Sequence, residues 1–375
     1  MSTQLCRLGL LTVGALLASQ AGAQSYTFTN LNLSTLGGVA GSVAAAINDA
    51  GQVAGHAYTP NAERAALWNG ATVTDLGTLG GSFSEAHAIN NAGQVAGSAY
   101  TKGNRAQHAT LWNGTKATDL GTLGGSSSWA TAINNAGQVA GYAYTTGNQA
   151  QHATLWNGAK ATDLGTLGGS TSAAAAINNV GQVVGYASTT GNKAQHATLW
   201  NGTKATDLGT LGGSSSGATA INDAGQVAGY AMTTGNAQHA TLWLGSKVID
   251  LGTLGGNGSV ATAINNAGQV VGYSDTIGNY LTPGNTTHAF LWNGNKALDL
   301  NRFLNADEVS AGWVLAAATG INDKGAIFGS DYNTISGAQD TFLLTPVPEP
   351  ESYAMLLAGI GLLGFVARRK HRKTA

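Results

Sequence analysis

The 375-residue chain holds 55 Gly but only 5 Pro, with 43% hydrophobic and 9% charged residues. Its net charge of −1 hides a body (residues 25–347) of 11 basic and 16 acidic residues, and a mildly acidic body has no reason to seek nucleic acid. The one cysteine, Cys6, lies ahead of that body, which excludes a disulfide framework and a thiolate metal site.

The first element in chain order is an address. Arg7 supplies a positive start, Leu8 to Ala18 an apolar run, and Ala21-Gly22-Ala23 a small-residue cleavage site. This is the pattern of a signal peptide over residues 1–23, cut between Ala23 and Gln24. A lipoprotein is excluded, because Cys6 precedes the apolar run instead of following it.

The body, residues 24–346, is a repeat. Leu-Gly-Thr-Leu-Gly-Gly begins at Leu76, Leu120, Leu164, Leu208 and Leu251, with a Ser variant at Leu33. Ile-Asn-x-x-Gly begins at Ile47, Ile89, Ile133, Ile177, Ile221, Ile264 and Ile321. Leu-Trp-Asn-Gly or a near match places Trp68, Trp112, Trp156, Trp200, Trp243 and Trp292. The period of about 44 residues fits one four-stranded propeller blade.

The third unit predicts strands over 130–134, 138–144, 152–156 and 160–164, with Gly168-Gly169 leading into the next unit. Asn134 to Gly137 and Asn157-Gly158 are turn signals. Alanine-rich first strands suit the crowded axis. The piece from Tyr26 to Gly38 matches only a fourth strand and its exit, and the last unit, Thr319 to Thr345, only the first three. Together they make one blade. The expectation is therefore an all-β, seven-bladed β-propeller closed by the N-terminal strand. The competing architecture, an open β-solenoid, needs polar caps that the ends do not supply.

The body resembles the HAF repeats of bacterial exported proteins. The resemblance rests on Ile264 to Gly272 and on His288-Ala289-Phe290-Leu291-Trp292-Asn293-Gly294, and covers roughly residues 26–345. Most units have Thr in place of Phe, and the first has Arg64-Ala65-Ala66. The resemblance supports the fold and implies no established activity.

Candidate chemistry is sparse. His108, His152, His196, His239 and His288 recur at one blade position, off the innermost strand, which suits a hydrogen bond inside each blade, to a backbone carbonyl or to the repeated aspartate of the fourth strand, better than a metal ring. The repeated tryptophans read as core. Ile221 to Gly225 lacks the second carboxylate of a Ca²⁺ site and reads as a plain turn. No metal site, cofactor or catalytic residue is expected. Trp129 breaks the repeat, where other units have Glu85, Ala173 or Gly217, and is the candidate exposed aromatic. Residues 300–320 read as a longer crossover loop able to carry binding, with Asp307 and Glu308 as further ligand candidates. Adjacent carboxylates are poorly placed as an acid/base pair.

The tail, residues 347–375, is a second address. Val347-Pro348-Glu349-Pro350 breaks regular structure, an apolar run follows from Tyr353 to Ala367, and a basic cluster starts at Arg368 and Arg369. The run is short for a span, and the cluster should hold its end in the cytoplasm. This succession resembles the PEP-CTERM sorting signal. The resemblance implies an exosortase-type partner that cuts near Pro-Glu-Pro, a membrane stage through the C-terminal helix, and a Gram-negative host that makes exopolysaccharide. The expected function is a non-catalytic protein of the cell surface or biofilm matrix that binds exopolysaccharide or surface proteins. The alternative is a propeller enzyme acting on extracellular polysaccharide.

Overall fold

The computed structural model describes residues 25–31, 33–38, 41–277 and 287–347. The signal peptide, with Ala23 and Gln24, lies outside the described residues, and so does the tail from Pro348, with Glu349, Pro350, Arg368 and Arg369. Among the described residues no helix is long and apolar enough to cross a membrane.

The unit Tyr26–Pro346 consists of seven four-stranded sheets, one per blade. Six blades take their four strands in chain order. The seventh joins the N-terminal strand Ser25–Asn30 to the edge of Gln339–Val347, beside Ile327–Asn333 and Trp313–Ile321. The chain is thus an all-β, seven-bladed propeller closed by its first strand.

Blade 3 shows why the repeat folds this way. Its strands are Gly124–Ile133, Val139–Thr145, Gln151–Asn157 and Lys160–Asp163, paired antiparallel. The first turn is built by Asn134, whose Oδ1 accepts from the N–H groups of Ala136 and Gln138 at 3.1 and 3.0 Å. Gly137 completes that turn at φ 78°, a left-handed conformation that costs glycine little. In the second strand Gly141 crosses the bulged first strand so closely that a Cβ would run into the Trp129 carbonyl. That contact accounts for the glycine of every Gln-Val-x-Gly.

The sequence reading placed the Gly-Gly pair ahead of the first strand. The structure puts it inside: the first strands of blades 2 to 6 begin there and run ten residues, as in Gly168–Ile177. Gly124 pairs with Thr145 across a register shift, so the exit segment continues as sheet.

Packing is between blades. Val139, Ala143 and Trp156 of blade 3 cluster with Ala96, Ala109 and Leu120 of blade 2, and the same set recurs around the ring. Trp112, Trp156 and Trp200 are fully buried. Burying one such side chain contributes roughly 4–6 kcal/mol before chain-entropy losses.

The segment expected to be a crossover loop is ordered differently. It forms a 3-10 turn, Leu300–Phe303, then a short helix, Ala306–Ser310, and then the first strand of blade 7. Leu300 is buried, Phe303 packs its ring 4.9 Å from Tyr26, and Trp313 lies 6.3 Å from Phe28. The insertion therefore braces the closing strand.

Candidate functional site

Three sets of polar groups stand out on this frame. The first is the His–Asp pair of each middle blade. In blades 2 to 6 the third-strand histidine meets the fourth-strand aspartate through Nδ1 at 2.7–2.8 Å: His108–Asp119, His152–Asp163, His196–Asp207, His239–Asp250 and His288–Asp299. Each aspartate also accepts a backbone N–H two residues on, as Asp163 does from Gly165 at 2.8 Å. The Asp299 carboxyl is desolvated, but bonds from His288 and Asn301 outweigh that and hold it below the usual range. These are ties within a blade. In blade 1, Arg64 takes the histidine position and reaches Asp75 at 3.7 Å.

The second set rings one axial mouth. The Ile-Asn-x triplets of all seven blades line it. The first Asn of each blade donates Nδ2 to the backbone carbonyl of its counterpart in the next blade, from Asn48 to Asn90 through Asn265 to Asn322, at 3.0–3.2 Å. A parallel series runs from the next backbone N–H to the following Asn or Asp side chain, Asp49 to Asn91 through Asn266 to Asp323. Six junctions carry both links. At the junction of blades 7 and 1, Lys324 Nζ donates to the Asp49 carbonyl at 2.7 Å instead. Asp223 is desolvated, yet bonds from Asn179 and Asn266 lower its pKa. Among the described residues no group of three or more His, Cys, Asp or Glu is arranged to hold a metal ion.

The third set is where the repeat breaks. One pair of facing positions on the first and second strands reads, from blade 1, Val43/His56, Glu85/Ser98, Trp129/Tyr142, Ala173/Tyr186, Gly217/Tyr230 and Val260/Tyr273. Aromatic rings thus occupy four consecutive blades, and ionisable groups the two before them. Trp129 is half-buried, stacked on Tyr142 at 5.1 Å and 26° and met edge-on by Tyr144 at 6.0 Å. At Gly217 a Cβ would press into the Tyr230 ring, so the missing side chain leaves room for it.

Glu85 and His87 sit one blade earlier. His87 Nε2 lies 3.2 Å from Glu85 Oε1, and His87 Nδ1 lies 2.7 Å from the carbonyl of Ala130, the residue after Trp129. Ser98 Oγ donates to Glu85 at 3.1 Å and accepts from Gln107 Nε2 at 2.8 Å. Burial disfavours the charged imidazole, but the bonds to Glu85 and to the carbonyl outweigh it and raise the His87 pKa. The bond from His87 holds the Glu85 carboxyl below its ordinary value. Both partners of the His87 ring nitrogens are acceptors. Desolvation, with Tyr186 and Glu85 nearby, pushes the Tyr142 hydroxyl up.

The structure does not bring the sequence candidates together. Trp129 belongs to the wall just described. Glu308 serves a capping box, its Oε2 accepting from the Asn305 N–H at 2.7 Å, and the Asn305 side chain accepts from the N–H of Asp307. No hydrogen bond or ring contact among the described residues joins Asp307 or Glu308 to Trp129. Sequence reasoning missed Glu85 and His87 as a pair. Both interrupt the repeat at inner-strand positions, and a blade-by-blade comparison of that strand is the signal that finds them.

Comparison with known proteins adds the following. The propeller resembles TolB from Acinetobacter baumannii, at 12% identity and TM-score 0.42, covering 80% of this chain and 64% of that one. It also resembles the β-propeller domain of the Trilobed protease from Pyrococcus furiosus, at 9% identity and TM-score 0.44, covering 71% and 83%. Trypanosoma rangeli sialidase in complex with sialic acid matches at 12% identity and TM-score 0.34, covering 90% and 61%. No curated protein sequence matches the chain. Residues 346–370 match the PEP-CTERM protein-sorting motif, which marks the chain as an exported, surface-targeted propeller.

Proposed function

We propose that the mature protein is a non-catalytic, HAF-type propeller of the cell surface or matrix that binds exopolysaccharide. An exosortase cuts its tail near Pro348-Glu349-Pro350, after a membrane stage through the C-terminal apolar helix. The observation that carries the binding role is a set of near-identical loops on one face. Between the second and third strands of blades 2 to 5 stand Asn104, Asn148, Asn192 and Asn236, each left-handed at φ 55–60°. In the first three, Oδ1 accepts the N–H of Ser82, Ser126 or Ser170 at 2.7–2.8 Å and ties the loop to the first strand. Thr146 to Gln149, within such a loop, are exposed. Rigid copies repeated around a ring suit a polymer of repeating units, because each further contact is intramolecular once the first has formed.

Mass spectrometry of the protein from host cells and medium tests the route. A body starting near Gln24 and ending near Pro350 is expected, and an intact chain ending at Ala375 in the membrane fraction overturns the processing step. Retention of the host exopolysaccharide by the purified protein, without turnover, is the expected result for the binding role. Turnover would replace it with an enzymatic one.

A further inference from the structure

We infer that the inner wall at the junction of blades 2 and 3 is a discrete sugar site, in which Trp129 and Glu85 take one neutral pyranose unit. The inference rests on the polysaccharide-binding reading and places its chemistry away from the repeated loops.

Three observations carry it. Solvent reaches the wall: the Glu85 and His87 side chains keep 26% and 31% of their surface exposed, although both lie on an innermost strand whose other edge is covered by the second strand. Next, the indole of Trp129 is held in place before any ligand arrives. Tyr142 stacks on it and Tyr144 meets its edge, so its orientation needs no further ordering. The electron-rich face of an aromatic ring attracts the C–H-lined face of a pyranose as it attracts a ring edge.

The third observation is an oriented acceptor. Glu85 Oε1 is occupied by His87 and Ser98, whereas Oε2 receives no hydrogen bond among the described residues. His87 is in turn fixed by the Ala130 carbonyl, next to Trp129. A carboxylate oxygen can only accept, and it takes the hydroxyl hydrogens of a neutral sugar well. It has no hydrogen to give the carboxylate of a uronic acid, which can only accept as well. A quaternary ammonium also favours aromatic rings and an anion, but needs faces set apart around it. Here the rings touch one another, which leaves no cage between them.

The site differs from the loop copies in being single. It occurs once, where blade 2 contributes Glu85 and His87 and blade 3 contributes Trp129. A polymer lying across the loops would insert one unit here.

The test is titration of the full chain with cellohexaose, mannohexaose and β-1,4-galactohexaose, followed by NMR saturation transfer, with oligogalacturonate as the acidic probe. At least one neutral hexamer is expected to bind, and the oligogalacturonate is not. Trp129→Ala and Glu85→Gln should each weaken the neutral ligand by about tenfold or more, the effect of losing roughly 1.4 kcal/mol. Glu85→Gln keeps the side-chain shape, so it tests the site even where Trp129→Ala fails to fold. Binding of the neutral hexamers unchanged in both variants, binding of the acidic probe alone, or no binding of any neutral hexamer overturns the inference. If the host exopolysaccharide is retained equally by wild type and both variants, the loops bind it and this site falls. If a neutral hexamer binds through Trp129 while the host polymer is not retained, this site stands and the loop reading falls.

Discussion

Blade 3 and blade 7 share one plan and differ in what they bury. In blade 3, Ala143 faces His152 across the strand pair, and His152 pairs with Asp163. In blade 7 the same register holds Asp331 opposite Asp340. Leu31 N–H donates to the Thr341 carbonyl as Leu164 N–H does to Ala153, which sets Asn30 at the aspartate position. The closing blade has thus lost the His–Asp tie and gained a carboxyl that is 2% exposed, with neither oxygen hydrogen-bonded. Among the described residues the repeated blades keep the tie and leave only neutral indole N–H groups, those of Trp112, Trp156, Trp200 and Trp243, buried without a partner. The blade that joins the two chain ends buries an unpartnered carboxyl instead.

Replacing Asp331 has the largest effect expected. Burial, with Asp340 opposite, pushes its carboxyl up to about 7. In the unfolded chain the same group titrates near 3.8. The unfolded state therefore releases its proton first. Stability falls as pH rises from about 4 to about 7 and stays low above that. Asp331→Ala restores the residue of blade 3 and should raise stability at pH 8 by about 2–4 kcal/mol, with little gain at pH 4. Denaturant melts across that range check it, and an equal gain at both ends would break the comparison.

Asn178→Ala attacks the repeated part. Asn178 is 3% exposed, donates to Gln182 Oε1 and the Asn222 carbonyl, and accepts the Gln182 N–H. Its loss leaves buried groups without partners and should cost about 2–3 kcal/mol. A urea midpoint unchanged from wild type would show that the ring contributes nothing.

A smaller effect is expected at the join itself. Lys324→Ala removes the link to the Asp49 carbonyl and should speed amide exchange in Val43–Ile47 while leaving Gly168–Ile177 unchanged. The smallest is His152→Ala. The pair with Asp163 is partly exposed, with 21% and 43% of the two side chains open, and such pairs contribute about 0–1 kcal/mol. A melting temperature within a degree or two of wild type would fit, and loss of folding would mean the tie is stronger than its exposure allows.

Most of the architecture was legible because it recurs. The spacing of Ile-Asn-x-x-Gly and Leu-Trp-Asn-Gly located the turns, and the two partial units at the ends foretold the closing strand. Of the two partners open to the repeated histidines, a backbone carbonyl or the fourth-strand aspartate, the structure shows the aspartate. What escaped notice either lacks a strand signature or occurs once. Gly168-Gly169 lacks the branched and aromatic residues that signal a strand, and only its pairing to the second strand makes it one. Asp331 reads as an ordinary polar residue until its neighbours are known. Glu85 and His87 stand two residues apart on one strand, and their link to Trp129 is made across a blade boundary that one chain segment does not reveal. Residues 300–320 looked like a loop because short turns such as Leu300–Phe303 carry no periodicity, and the strand from Trp313 was read as part of it.

The links around the Ile-Asn-x mouth have a consequence for how such a chain can lengthen. Each middle blade gives the same donors to its successor and offers the same acceptors to its predecessor. The contact is thus generic with respect to neighbour. A duplication that copies one whole period in frame delivers a unit already able to mate on both sides, and a deletion of one period leaves two mating ends. Only the curvature needed to bring first and last units together limits the number of copies, so the gene can grow or shrink by whole periods without redesigning a single junction.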